Sequence, residues 1–170
     1  MKIVKATTED SKLLSEIGKE AFLQAHGKSA PEKDIEAFTA KYYTETAFYE
    51  ELYNPDNIYY LIYSDDRVAG YSKIAFNQTH PNIPEKNITK LDRIYLLQEF
   101  HGQNLGTILF NHNVALSKKE NQLGIWLYVW TENEKALRFY KKSGFIIVGS
   151  HAYQISETHT NPNHVLFLKY

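Results

Sequence analysis

The chain has 170 residues, enough for one domain with its own core, and 43% hydrophobic with 23% charged residues is a globular rather than a disordered composition. A formal net charge of −1 offers no electrostatic footprint for nucleic acid or an anionic membrane, and the lack of cysteine excludes disulfides, thiolate nucleophiles and zinc–thiolate sites. The opening MKIVKATTEDSK has no apolar signal core and no apolar run nears the roughly 20 residues a membrane helix needs, so a cytoplasmic protein without a membrane partner is expected.

Residues 2–6 alternate and predict a short first strand. Thr7 to Asp10 supply caps for a helix running to about Gln24. After a loop around Gly27–Pro31, Glu32 to Lys41 and Thr44 to Leu52 read as two helices with acidic first turns, stopped by Asn54-Pro55-Asp56. Asn57–Tyr63 and Val68–Phe76 are aromatic and β-branched and form a hairpin about Ser64–Arg67. Asn77–Asn87 is a polar loop, and Ile88–Leu97 a fourth strand. A helix from about Leu105 to Glu120 carries an apolar stripe at Leu105, Ile108, Leu109 and Leu116. Gly124–Trp130 is continuously apolar, as a buried central strand is. A short helix over Glu132–Lys142 ends at Ser143-Gly144, and Phe145–Gln154 and His164–Tyr170 complete the sheet. With no repeat or linker, residues 1–170 are expected to form a single α/β domain.

Two segments carry chemistry. Between a strand and a helix stands Phe100-His101-Gly102-Gln103-Asn104-Leu105-Gly106-Thr107. A helix N-terminus presents unpaired N–H groups and partial positive charge to an anion. Gly102 and Gly106 let a ligand approach the backbone, and Asn104 tolerates a positive φ. The segment reads either as an anion-binding nest or as a plain loop with glycines for turning; it is neither a P-loop nor a dinucleotide fingerprint. Further on, Asn133 and Tyr140 share a helix face about 10 Å apart along the axis. Asn133 offers an amide to a ligand or caps the helix. Tyr140, with a phenol whose ordinary pKa of about 10 matches an alkanethiol, can protonate a leaving thiolate or serve as a core aromatic.

Together these residues resemble the GNAT acetyltransferases. Their cofactor loop, Q/R-x-x-G-x-G/A, stands here as His101-Gly102-Gln103-Asn104-Leu105-Gly106, with histidine and asparagine as departures. The segment N-x-x-A-x-x-F-Y-x-x-x-G-F is matched at Asn133, Ala136, Phe139, Tyr140, Gly144 and Phe145. Within the family, Leu91–Leu96, Val129–Glu134 and the ending His159–Leu166 are most similar to the PaiA-type spermine/spermidine acetyltransferases.

The resemblance implies a mixed, mostly antiparallel sheet of about seven strands flanked by helices, with acetyl-CoA in a cleft between strands four and five. By the same resemblance the backbone of Ile94, Tyr95 and Leu96 pairs with the pantetheine arm, and Gly102 to Thr107 (Gly102, Gln103, Asn104, Leu105, Gly106, Thr107) hold the pyrophosphate, with His101 opening this cofactor-binding loop. Asn133 holds the pantetheine and Tyr140 protonates the departing CoA thiolate. The amine must lose a proton before attack. Asp92 shares strand parity with Ile94 and Leu96 and is the first candidate for that base, a salt bridge being its other role. Residues 32–53 bring Glu32, Asp34, Glu36, Glu45, Glu50 and Glu51 together with Tyr42, Tyr43, Phe48, Tyr49 and Tyr53, which suits a polyamine acceptor. A peptide N-terminus or other small amine is the alternative acceptor, and a CoA-binding regulatory module without turnover the alternative activity. No HExxH or GxSxG occurs, so no metal site is expected, and the aromatic surplus leaves room for a homodimer contact.

Overall fold

The computed structural model describes residues 1–170. Strand β1 (Lys2–Lys5) leads through a single 3₁₀ turn to α1 (Ser11–His26), followed by α2 (Glu32–Tyr42) and α3 (Glu45–Tyr53). Then come β2 (Ile58–Ser64), β3 (Arg67–Ala75), β4 (Thr89–Leu96), α4 (Leu105–Lys119), β5 (Gly124–Trp130), α5 (Glu134–Lys142), β6 (Ile146–Ser156) and β7 (His159–Lys169). No helix is long and apolar enough to cross a membrane.

Local chemistry sets most boundaries. Thr7 and Asp10 form a capping box, with Thr7 N donating to the Asp10 carboxylate at 2.8 Å. Thr44 Oγ1 accepts from Ala47 N at 3.1 Å and starts α3. Asp65 and Asp66 both take positive φ (47° and 60°), which joins β2 to β3 with a turn whose twist matches the strands. One expectation fails: residues 159–163, left outside the last strand, belong to β7. Their asparagines and Pro162 read as loop. On the β5 side, however, the last link is Thr131 N donating to the Pro162 carbonyl at 3.0 Å, and beyond it β7 pairs with β6 alone, so the proline stands where the ladder with β5 ends.

The strands lie in the order β1-β2-β3-β4-β5-β7-β6. Every pairing is antiparallel except β4 with β5. That parallel pairing lasts for only two positions, Thr89↔Ile125 and Lys90↔Trp126, after which the strands part. Each keeps its other neighbour, so the sheet splits in its middle without unravelling. One core cluster packs α1–α3 on β2 and β3 through Leu14, Phe22, Phe48, Leu61 and Tyr71. A second joins α4 and α5 to the centre of the sheet through Leu91, Phe110, Ile125, Tyr140 and Leu166. Burying such side chains contributes roughly 1.5–3 kcal/mol each. Two buried polar contacts fix α4 to the sheet, Ser72 Oγ to Asn113 Oδ1 at 3.2 Å and Thr89 Oγ1 with Ser117 Oγ at 2.6 Å.

A bulge corrects the expected parity of β4. Lys73 faces Arg93 and Ile74 faces Leu91, so Asp92 is an extra residue. Asp92 reaches Lys73, whereas Ile94 pairs with Ser72, the neighbour of Lys73 on the opposite face. Asp92 and Ile94 therefore do not share a face.

Candidate active site

The parting of β4 and β5 opens two cavities. The larger, about 710 Å³, lies between the end of β4, the start of α4 and α5. The smaller, about 160 Å³, lies on the α1 side against β4, β5 and β7. Ile94, Tyr95, Asn133, Ala136 and Tyr140 line both.

One wall of the larger cavity is the loop into α4, where glycines and main chain come to the surface. Gly102 (φ 83°) and Asn104 (φ 61°) take the left-handed conformations that turn the chain into α4. No side chain caps the N-terminus of α4, so its first-turn N–H groups and positive dipole end are free for an anion. A Cβ at Gly102 would meet nothing within 4 Å, which marks open space beside the loop. These features fit the diphosphate of acetyl-CoA. His101, Gly102, Asn104, Leu105, Gly106 and Thr107 all reach this wall. Gln103 does not, and its Oε1 instead accepts from Ser64 Oγ at 3.5 Å.

His101 ties the loop down. Lys135 Nζ, which can only donate, lies 2.9 Å from its Nδ1, so Nε2–H donates to the Leu96 carbonyl at 3.1 Å. The β4 backbone divides its groups by the alternation of an antiparallel ladder. Leu97 N donates to Ala69 O, so Tyr95, two residues before, also spends its backbone on β3. The main-chain groups of Ile94 and Leu96 point into the split. Tyr95 lines it with its side chain instead.

Asn133 Oδ1 accepts from Ala136 N at 3.2 Å and caps α5, which leaves its amide NH₂ for the cavity wall. The Tyr140 phenol has no hydrogen-bond partner in the protein. Burial pushes it well above the usual phenol range, so it stays protonated at neutral pH.

The smaller cavity is built from side chains. Along its floor runs a chain of five alternating charges, of which Arg93, Asp92 and Lys90 line the cavity and Glu51 and Lys73 lie behind them. Arg93 contacts Glu51 at 3.1 Å, Glu51 contacts Lys73 at 2.7 Å, Lys73 contacts Asp92 at 3.0 Å, and Asp92 contacts Lys90 at 2.7 Å. Burial alone would raise the Asp92 carboxyl, but Lys73 and Lys90 outweigh it and hold the group well below the usual carboxylate range. Asp92 takes the salt-bridge role, and so depressed a carboxylate is a weak proton acceptor. Glu51 is likewise held anionic by Arg93 and Lys73 against its burial, and Tyr59 donates to it.

Of the acidic residues in 32–53, Glu51 alone joins this chain of charges, behind the lining. Glu32, Glu36, Glu45 and Glu50 are exposed on the outer helix faces, and none of them lines the cavity. Tyr43 does line it, while Tyr42, Tyr49 and Tyr53 face solvent.

His26 is a wall residue that the sequence reading misses. It closes α1 two residues beyond the expected end, its ring centre 6.0 Å from Tyr95 and 5.9 Å from Trp130. Neither ring nitrogen has a partner in the protein, and burial lowers its pKa to about 4. No local motif announces His26 or Tyr153. Lys90 and Arg93 had a legible signal, three charged residues within four positions of a central strand.

Comparison with known proteins follows this geometry. The family described as acetyltransferase (GNAT) matches residues 20–145. An N-acetyltransferase of Lactobacillus delbrueckii subsp. lactis is 27% identical over 157 residues, covering 92% of this chain and 91% of that one. A spermidine N(1)-acetyltransferase of Thermoplasma acidophilum is 24% identical, covering 85% and 88%. Among solved structures, the PaiA N-acetyltransferase of T. acidophilum in complex with coenzyme A superposes over 100% of both chains with a TM-score of 0.74 at 21% identity, a likeness of fold.

Proposed function

Because the chain belongs to the acetyltransferase (GNAT) family and acetyl-CoA is its cosubstrate, we propose that it transfers the acetyl group directly to a primary amine seated in the smaller cavity. The observation that carries this reading is the wall common to the two cavities, in which the unpartnered phenol of Tyr140 faces both. Bound acetyl-CoA supplies an activated acyl group. The uncapped start of α4 with Gly102 and Asn104 receives the diphosphate, and the free main-chain groups of Ile94 with the N–H of Leu96 align the pantetheine arm. An N–H of this edge polarises the thioester carbonyl, a contribution of roughly 3 kcal/mol per donor in acyl transfer. Tyr140, kept protonated by burial, returns a proton to the departing thiolate.

The incoming amine must shed a proton. Asp92 is neutralised by two lysines, whereas His26 lines the cavity with an uncharged ring and both nitrogens unengaged. His26 therefore takes the proton in this reading, and Asp92 holds the charges around it.

The finer expectation of a polyamine such as spermidine or spermine is supported by the similarity to a spermidine N(1)-acetyltransferase. It loses the support of Glu51, which is committed to Lys73 and Arg93. The continuous seven-stranded sheet supports reading residues 1–170 as one catalytic unit. The exposed Ile146 and Ile147 on edge strand β6 support the expected homodimer contact.

The test is release of CoA thiol from acetyl-CoA across a panel of spermidine, amino acids, simple alkylamines and peptides with free N-termini. At least one primary amine is expected to turn over. Tight acetyl-CoA binding with no thiol release from any amine would replace the enzyme with a regulatory CoA-binding module.

A further inference from the structure

The electrostatics of the smaller cavity narrow the class of amine. Its lining holds two cationic side chains, Arg93 and Lys90, against one carboxylate, Asp92, and the Lys73–Glu51 pair behind them is neutral, which leaves one positive charge in excess. Each carboxylate is engaged by cations on both sides, so neither is free to receive a second ammonium. Both ends of the chain are cationic. Lys90 Nζ contacts Asp92 on one side and lies 5.5 Å from the ring centres of Trp126 and Tyr128 on the other. Arg93 contacts Glu51 and Tyr59 Oη and lies over the rings of Tyr43 and Phe48. The cavity is also lined by the phenols of Tyr43 and Tyr153, neither of which has a hydrogen-bond partner in the protein. Burial keeps both protonated, so they are donors.

We propose that the preferred acceptor is an aromatic or apolar primary amine that carries a carboxylate within a few bonds of its nitrogen, received by Lys90 and Arg93 with Tyr43 and Tyr153. This rests on the smaller cavity being the acceptor site. Excess positive charge and free phenol donors complement a carboxylate. The rings of Phe22, Tyr128 and Trp130 complement an apolar body. A polyamine would bring second and third ammonium groups into a field of their own sign, with no unspent carboxylate to meet them.

The experiment compares phenylalanine with phenethylamine, the same amine without its carboxylate, and with spermidine, by thiol release. Phenylalanine is expected to exceed phenethylamine at least tenfold in kcat/KM and to exceed spermidine. Lys90→Met should move that ratio toward one and Asp92→Asn should raise it, since they shift the cavity charge in opposite directions. A ratio also cancels any loss common to both acceptors. Preference for spermidine, or equal use of the matched pair, would overturn the proposal. Should no amine release thiol, the acetyltransferase reading itself fails. The acceptor class is then still decided by calorimetry on the CoA-saturated protein. Tighter binding of phenylalanine than of phenethylamine supports it, and equal binding overturns it.

Discussion

The larger cavity has one wall made by a single stretch of chain, residues 101–107 without Gln103, set among α1, β4 and α5, while the smaller draws its walls from α1, the α2–α3 junction, β4, β5, α5, β6 and β7. That wall offers uncapped main-chain N–H groups beside two positive-φ residues, an arrangement suited to an anion at a helix start. The smaller cavity works through side chains whose charges are spent on one another, with a small surplus left over. A pocket made of backbone accepts an invariant ligand part and tolerates change in its neighbours. A pocket made of side chains selects among ligands and depends on every element that contributes to it.

Substitutions can break this contrast, and the largest effect is expected at the floor of the smaller cavity. Arg93→Met leaves Glu51 half-paired in a poorly solvated setting and should destabilise the protein by about 3–5 kcal/mol, read from urea unfolding. A loss under about 1 kcal/mol would mean that the charge chain is not structurally coupled. Next is Tyr140→Phe, at the shared wall. It should lower turnover roughly a hundred- to a thousandfold while acetyl-CoA affinity holds, because it removes a proton donor and keeps the ring. Unchanged turnover removes Tyr140 from the chemistry.

The third prediction concerns pH. His26 has a folded pKa of about 4 against 6.5 unfolded. The unfolded chain therefore takes up the proton first as pH falls. The stability that neutral His26 contributes is fully present above pH 6.5 and is lost as pH drops through 4, by about 3 kcal/mol at most. His26→Gln should flatten that part of the Tm-versus-pH curve, and an unaltered curve would show the ring to be freely solvated. The smallest effect expected is on the backbone-built side. A Cβ at Gly106 meets only Leu96 Cδ1, at 3.4 Å, so Gly106→Val should leave Tm nearly unchanged. It should nevertheless weaken acetyl-CoA binding about fifty- to a hundredfold, measured by calorimetry, by filling the space over the α4 start. Full affinity in that variant would dissolve the distinction between the two cavities.

Much of the fold was legible because its signals are local. The caps at Thr7 and Thr44, the Asp65-Asp66 turn and the apolar run of β5 each act within a few residues. So does the loop at Gly102–Gly106, where Gly102 and Asn104 satisfy a backbone demand. The strand at 159–163 was not legible, since its polar residues pair only because β6 lies beside them. Nor was the true facing of Asp92. An alternating pattern assumes an unbroken ladder, and the bulge opposite Lys73 breaks it.

By itself, then, the sequence determined the order of elements, the glycine-containing loop before α4 and the position of Asn133 and Tyr140 on one helix face, because each follows from spacings of a few residues. Tertiary structure alone decided that β4 and β5 part after two pairs, that His26 reaches Trp130, and that Glu51 reaches Lys73 and Arg93. Those are contacts between residues far apart in the chain, and their charges cancel or remain only once packing has brought them together.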